Sequence, residues 1–239
     1  MPQLIVYLLG PIVGYLLGAI PFAFVIGKAH GVDIRKVGSG NIGATNLGRT
    51  LGKRYFWQAF FLDAAKGFVP VLVISLLVRH WQSDLYLTSS TGHPLPAWSP
   101  LLTAIACMLG HVFPVYLKFK GGKGVSTSFG VVLGFWPLYT VAGLASGLVF
   151  VVVLMAYRYI SLASIVSSLS FVIFVALLGS WSDSRNIAYH PWHDLLPLLI
   201  IGALLAAVII LRHRSNMVRL YRGTEPKIGQ KQIDKARMP

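Results

Sequence analysis

Seven apolar runs separated by short polar connections limit what this 239-residue chain can fold into. They cover residues 4–26, 56–78, 101–113, 125–136, 138–157, 160–180 and 195–211. As one helix, residues 4–26 rise about 35 Å, enough to cross a hydrocarbon core of about 30 Å. The runs 101–113 and 125–136 are each too short to cross without extension, tilt or thinning. They flank a glycine loop, and non-helical backbone at membrane depth survives only where protein or water satisfies it. That arrangement predicts two short helices that sink the loop into a water-filled recess. With 55% hydrophobic residues, 12% charged and mean hydropathy +0.68, the chain reads as a membrane protein. The expected fold is all-α: one polytopic domain over 1–239 with seven transmembrane helices, two of them short, and a basic tail at 212–239. No basic residue precedes the first run, so it reads as a retained span, not a signal peptide.

Charge sets the expected orientation. Connections 27–55, 114–124 and 158–159, with the tail, fall on one side of seven spans and carry 18 of the 21 Lys and Arg. The positive-inside rule makes that face cytoplasmic, with the N-terminus outside and the C-terminus cytoplasmic. Trp81, Trp98, Trp136, Trp181 and Trp192 fall near the outer boundary, as an aromatic belt does. A net charge of +14 confined to short loops fits anionic lipid headgroups and phosphorylated substrates, not nucleic acid. The single cysteine, Cys107, excludes an intrachain disulfide and a Cys-rich metal site.

Two cytoplasmic stretches carry the polar chemistry. Residues 38–53 read GSGNIGATNLGRTLGK, and residues 119–128 read FKGGKGVSTS. Glycines let backbone N–H groups approach a ligand, and Ser, Thr, Asn, Arg and Lys add donors suited to a phosphate. A lone Gly/Ser run is an ordinary flexible loop; two that share this chemistry argue for phosphate binding. The turn RYISLAS at 158–164 and the tail's His213 and Asn216 share that face. No Ser/His/Asp triad, HExxH or paired-carboxylate signature is present, so no metal or other cofactor is expected. GATNLGRT at 43–50 nearly matches a Walker A pattern, but no buried strand precedes it. His80, His93, His190 and His193 read as solvated outer-loop histidines. Asp63 and Lys66 share a helix face and fit either a structural ion pair steadying a glycine loop or direct catalysis. For His111, helix-end hydrogen bonding and ligand contact both fit.

The motifs SGNIGATNLGRTLGK (39–53), LDAAKG (62–67), GHVFPVYLKFKGGKGVST (110–127), RYISLAS (158–164) and HRSNMVRLYRGTE (213–225) occur in this order. Together they resemble the bacterial integral-membrane acyl-phosphate:glycerol-3-phosphate acyltransferase family across about residues 4–228. Ser126 departs from the family's frequent Ala, and segments 80–100 and 181–194 look longer than usual. The resemblance implies acyl transfer from acyl phosphate to the 1-hydroxyl of sn-glycerol 3-phosphate, at the bacterial inner membrane. It implies that Arg49, Lys123, Ser161, His213 and Asn216 bind and orient glycerol 3-phosphate and polarise the reacting groups. Thr45, Asn46, Gly121 and Gly122, with nearby N–H groups, would cradle the acyl phosphate, Ser39 and Asn41 would shape the first loop, and His111 would join substrate binding. No base is expected beside Ser161, so a covalent acyl-serine is disfavoured and a substrate phosphate would accept the hydroxyl proton. No histidine has Asp five positions later, which argues against acyl-CoA or acyl carrier protein as donor. The expected partners are thus the two substrates and membrane lipid. The reading from a different class is a transporter of phosphate or a phosphorylated solute. One-sided polar motifs and the lack of a repeat weigh against it.

Overall fold

The computed structural model describes residues 2–84, 98–184 and 195–230. Among them are ten α-helices: α1 (Pro2–Gly18), α2 (Phe22–Ala29), α3 (Ala44–Leu51), α4 (Lys53–Asp84), α5 (Trp98–Val112), α6 (Val125–Leu133), α7 (Leu138–Tyr157), α8 (Ile160–Ser184), α9 (Leu195–Arg212) and α10 (Arg214–Tyr221). The chain is an all-α polytopic membrane protein. Six segments are long and apolar enough to cross a bilayer: Val6–Ala29, Lys53–Val78, Trp98–Leu117, Leu138–Tyr157, Ile160–Trp181 and Leu195–Arg212. Each overlaps one of the expected runs. The remaining run, 125–136, holds the nine-residue α6, about 13 Å long.

Several boundaries differ from expectation for identifiable reasons. The first run is broken between α1 and α2, where Pro21 has no N–H to continue the ladder. The run at 101–113 is part of a longer apolar segment, because α5 begins at Trp98 and a 3₁₀ turn, Val115–Leu117, continues it. Half of the stretch expected as the first glycine loop is the helix α3. Buried Ala44, Asn46 and Leu47 pack it against Ile34 and Ala59, and that burial overrides the cost of its glycine.

Small residues bring the backbones together. Gly14 on α1 faces Thr103 and Cys107 of α5, and Tyr15 donates to the Phe113 carbonyl at 2.8 Å. Gly67 of α4 lies against the Thr127 carbonyl, and Gly130 of α6 against that of Ala64. Helices α7, α8 and α9 pack around buried Tyr139, Phe171, Ile201 and Leu205. The α4–α6 contact sets a depth. The start of α6 lies beside residues 64–67, about 16 Å along α4 from Lys53, so the second glycine loop is sunk into the bundle. Exposed Trp98, Trp136 and Trp181 sit at the end away from both loops; Trp192 lies outside the described residues.

A Cβ on Gly130 has no space beside the Ala64 carbonyl. Gly130→Ala is expected to cost about 1–3 kcal/mol through overpacking. It should lower the melting temperature of the detergent-purified protein; an unchanged value would show that α4 and α6 do not pack this closely.

Candidate functional site

The first loop is shaped from beneath by α3. Asn46, fully buried, donates from Nδ2 to the Ile34 carbonyl at 2.8 Å and the Val37 carbonyl at 3.2 Å. Its Oδ1 accepts from the Ser39 N–H at 3.0 Å. These three bonds pin the chain between Ile34 and Ser39, so Asn46 uses both donors on the loop itself. Ser39 is exposed, and its Oγ accepts from the Asn41 N–H at 3.5 Å. Asp33 holds Arg35 through bonds of 2.9 and 2.7 Å, which keep its carboxyl well below the usual range. Thr45 lies in the first turn of α3, before the first helical bonds, which run from the Asn46 and Leu47 N–H groups to the Gly43 carbonyl. Arg49 lies in the last turn and donates to the Pro226 carbonyl at 3.4 Å.

The second loop folds back on the end of α5. The Gly121 N–H bonds the Val112 carbonyl and the Gly122 N–H the His111 carbonyl, both at 3.1 Å. Their own carbonyls accept from Arg212, at 2.9 Å to Gly121 and 3.1 Å to Gly122. Both glycines therefore spend their N–H groups on α5, which counts against the cradle expected of them. They are needed for close approach, since a Cβ on Gly121 meets Pro114 and one on Gly122 meets the His111 ring. Lys123 follows, half-buried. Gly124 then takes a left-handed conformation (φ 86°) and starts α6.

The tail completes the arrangement around a carboxylate that sequence reasoning did not single out. Glu225 is 8% exposed. Its Oε1 accepts from Ser161 Oγ and from Asn216 Nδ2, both at 2.7 Å, and its Oε2 accepts from Arg219 Nε at 2.7 Å. Asn216 Oδ1 in turn accepts from Lys123 Nζ. The expectation of no base beside Ser161 is thus overturned. Burial pushes the Glu225 pKa up, but bonds from Asn216, Ser161 and Arg219 outweigh it and leave the carboxyl below its ordinary value, a weak base. Burial, opposed by Glu225, brings the Lys123 ammonium down to about 8, so it is still mostly cationic at neutral pH. His213 is buried, and its Nδ1–H donates to the Ile209 carbonyl at 2.8 Å, which leaves Nε2 as the acceptor. Burial and nearby Lys123 push its pKa down to about 4, so the ring is neutral.

These contacts gather the first loop with α3, the second loop, the start of α8 and the tail at one end of the bundle. Arg49, Lys123, Ser161, His213 and Asn216 all belong to that end. His111 instead lies buried beneath the second loop. Arg212, Arg219 and Glu225 are the residues missed. The one available signal was Glu225's place as the sole acid among the cations of 212–230. Among the described residues, no three of His, Cys, Asp and Glu cluster as metal ligands. His93, His190 and His193 fall outside the described residues.

Residues 8–223 match the family model described as glycerol-3-phosphate acyltransferase. The chain is 42% identical over 214 residues to the glycerol-3-phosphate acyltransferase of Aquifex aeolicus, covering 90% of this chain and 95% of that one. It is 40% identical over 211 residues to that of Geotalea daltonii, covering 88% and 92%. Among solved structures it is similar to PlsY (YgiH), an integral membrane glycerol 3-phosphate acyltransferase. The glycerol 3-phosphate form matches with TM-score 0.75 and 38% identity over 93% of this chain and 96% of that one. The lysophosphatidic acid form matches with TM-score 0.72 and 37% identity over 93% and 95%.

Glu225→Gln keeps an acceptor for Ser161 and Asn216 but removes the charge that Arg219 faces. A loss of about 1–3 kcal/mol is expected at neutral pH. Because the folded carboxyl sits below its unfolded value, its contribution is present above about pH 4.5 and fades as pH falls further. Thermal unfolding should show a variant less stable than wild type at pH 7, with the gap closing in acid. A gap that stays constant would remove the carboxylate's charge from the account.

Proposed function

This chain belongs to the integral-membrane glycerol-3-phosphate acyltransferase family, and on that premise we propose how its own residues move a fatty acyl group from acyl phosphate to the 1-hydroxyl of sn-glycerol 3-phosphate. The products are lysophosphatidic acid and inorganic phosphate, an early step of phospholipid synthesis. The observation that carries the assignment is the linked set Lys123–Asn216–Glu225–Ser161, a cation, an amide and a hydroxyl held in one place around a carboxylate at the boundary of apolar helices.

An acyl phosphate is a mixed anhydride with an anionic leaving group, so the protein's task is orientation and charge stabilisation. The acceptor's 1-oxygen attacks the acyl carbon, the bond from that carbon to the phosphate oxygen breaks, and phosphate leaves with the electron pair. A phosphate oxygen of a substrate takes the hydroxyl proton. Arg49 and Lys123 grip phosphate, the guanidinium as a planar fork and the ammonium as a point charge. Ser161, Asn216 and the free Nε2 of His213 orient the acceptor. The N–H groups in the first turns of α3, around Thr45, and of α6 face the donor's phosphate. Asn46, Gly121 and Gly122 hold the two loops that present these groups, and Ser39 and Asn41 shape the rim of the first. Glu225 beside Ser161 supports a second route through an acyl-serine. Its engagement by three donors favours direct transfer.

The chain, 1–239, forms one domain in the bacterial inner membrane. The loop-bearing end faces the cytoplasm, with the N-terminus outside. Seven crossings follow if α6, short as it is, carries the chain outward to the turn before α7. The support for this is that residues 124 and 158 belong to the same end of the bundle.

Purified protein with acyl phosphate and glycerol 3-phosphate should release phosphate and form acylated product. Equal turnover on acyl-CoA alone would overturn the donor assignment, and an acyl-enzyme formed from donor alone would favour the serine route. Arg49→Lys keeps the charge and loses the fork. It should cost about 2–4 kcal/mol of transition-state stabilisation, roughly 30- to 1000-fold in kcat/KM. Lys231→Ala, near the end of the chain, should cost little. Wild-type turnover by folded Arg49→Lys would remove Arg49 from the site.

A further inference from the structure

Beneath the second loop lies a buried polar cluster that the reaction does not use directly. Lys66 Nζ stands 2.7 Å from Asp63 Oδ1, with both side chains 3% exposed. That contact is a charge pair without an aligned hydrogen bond, so Asp63 Oδ1 lacks a hydrogen-bond donor. Lys66 directs its bond to the Ile20 carbonyl at 2.7 Å, in the break between α1 and α2. His111, on α5, places Nδ1 3.9 Å from Asp63 Oδ1 and 3.0 Å from Thr127 Oγ1, on α6. The same imidazole packs on Gly122, whose N–H bonds the His111 carbonyl. His111 thus holds the second loop at Gly122 and at Thr127, and Lys123 lies between those points.

A buried ion pair is a poor way to gain stability, because apolar side chains of similar volume pack the same space without desolvating two charges. This cluster spans three helices and ends on the short loop that carries Lys123. We propose that His111 and Thr127, backed by Asp63 and Lys66, are positioning residues that set the register of Lys123 toward the phosphate of glycerol 3-phosphate. The proposal rests on the reading that Lys123 grips that phosphate. The tether touches no substrate: it fixes where the ammonium stands when the acceptor arrives. Losing it therefore weakens acceptor binding more than it slows the acyl transfer itself.

The test compares Thr127→Val, which keeps the shape and removes the hydroxyl, with Thr127→Ser, which keeps the hydroxyl. Thr127→Val should raise the KM for glycerol 3-phosphate about tenfold, change kcat less than about threefold, and leave the KM for acyl phosphate within about twofold. Thr127→Ser should recover most of the lost affinity. If Thr127→Val alone does not fold, His111→Leu combined with Thr127→Val removes both polar partners together, and the same rise in KM is expected. A fall in kcat without a rise in acceptor KM, or a rise confined to acyl phosphate, overturns the proposal. Lys123→Ala, assayed alongside, tests the underlying reading. An unchanged acceptor KM there removes Lys123 from the site, whereas a raised one with unaltered Thr127→Val kinetics overturns the tether alone.

Discussion

A backbone that leaves a helix inside an apolar slab must find partners within the protein, because lipid supplies none. At three of the places near its functional end where this chain leaves helical geometry, a polar side chain from another element bonds the freed backbone. Lys66 bonds the Ile20 carbonyl at the α1–α2 break, Asn46 bonds the Ile34 and Val37 carbonyls in the first loop, and Arg212 bonds the Gly121 and Gly122 carbonyls in the second. Two of the three are cations, and a buried carbonyl dipole is one of the few neutral groups that stabilises a cation out of water. The polar side chains that make irregular backbone tolerable here also lock the loops in place.

The electrostatics follow from that economy of acids. With 21 Lys and Arg against 7 Asp and Glu, most cations of the chain have no acidic partner to meet. Glu225 is placed where one carboxylate joins the most elements: α8 through Ser161, α10 through Asn216 and Arg219, and the second loop through Asn216 and Lys123. The surrounding cations remain in excess, as a site for two phosphorylated molecules requires. Lys123 keeps its charge despite burial, and His213 beside it stays neutral. Two adjacent nitrogen groups therefore divide into a charge donor and a lone-pair acceptor.

How much of this was legible in the sequence depended on whether the determining contact was local. Residues 138–157 coincide with α7 because hydropathy alone sets those bounds, with Pro137 before them and Arg158 after. Residues 44–51 read as a loop because they belong to a glycine-rich stretch, yet form α3 because Ala44 and Leu47 are buried by a core assembled from α2 and α4. The glycines at 121 and 122 read, from the sequence, as part of a phosphate cradle. They admit a close backbone approach, while their N–H groups serve α5. Glu225 meets Ser161 across 64 positions of sequence, and no spacing rule connects two residues so far apart. Residue types thus revealed the chemistry of the site, and only the folded chain revealed which groups are already bonded to each other.

The Ser161–Glu225 contact shows why that distinction matters for mechanism. A serine beside a carboxylate invites a nucleophilic reading, but a base must have a free lone pair and a pKa near the working pH. Glu225 accepts from three donors, and its pKa lies below the ordinary carboxylate value. Deprotonating Ser161 would therefore put a proton on a group little disposed to keep it, and would weaken the bonds that hold Asn216 and Arg219. With Glu225 left ionised, the Ser161 hydroxyl hydrogen is committed to that carboxylate, and its oxygen lone pairs are available to accept from an incoming hydroxyl. That polarity suits a group that holds the bound acceptor by accepting a hydrogen bond from it, and on the proposed reading the reacting proton of the 1-hydroxyl goes to a substrate phosphate oxygen instead.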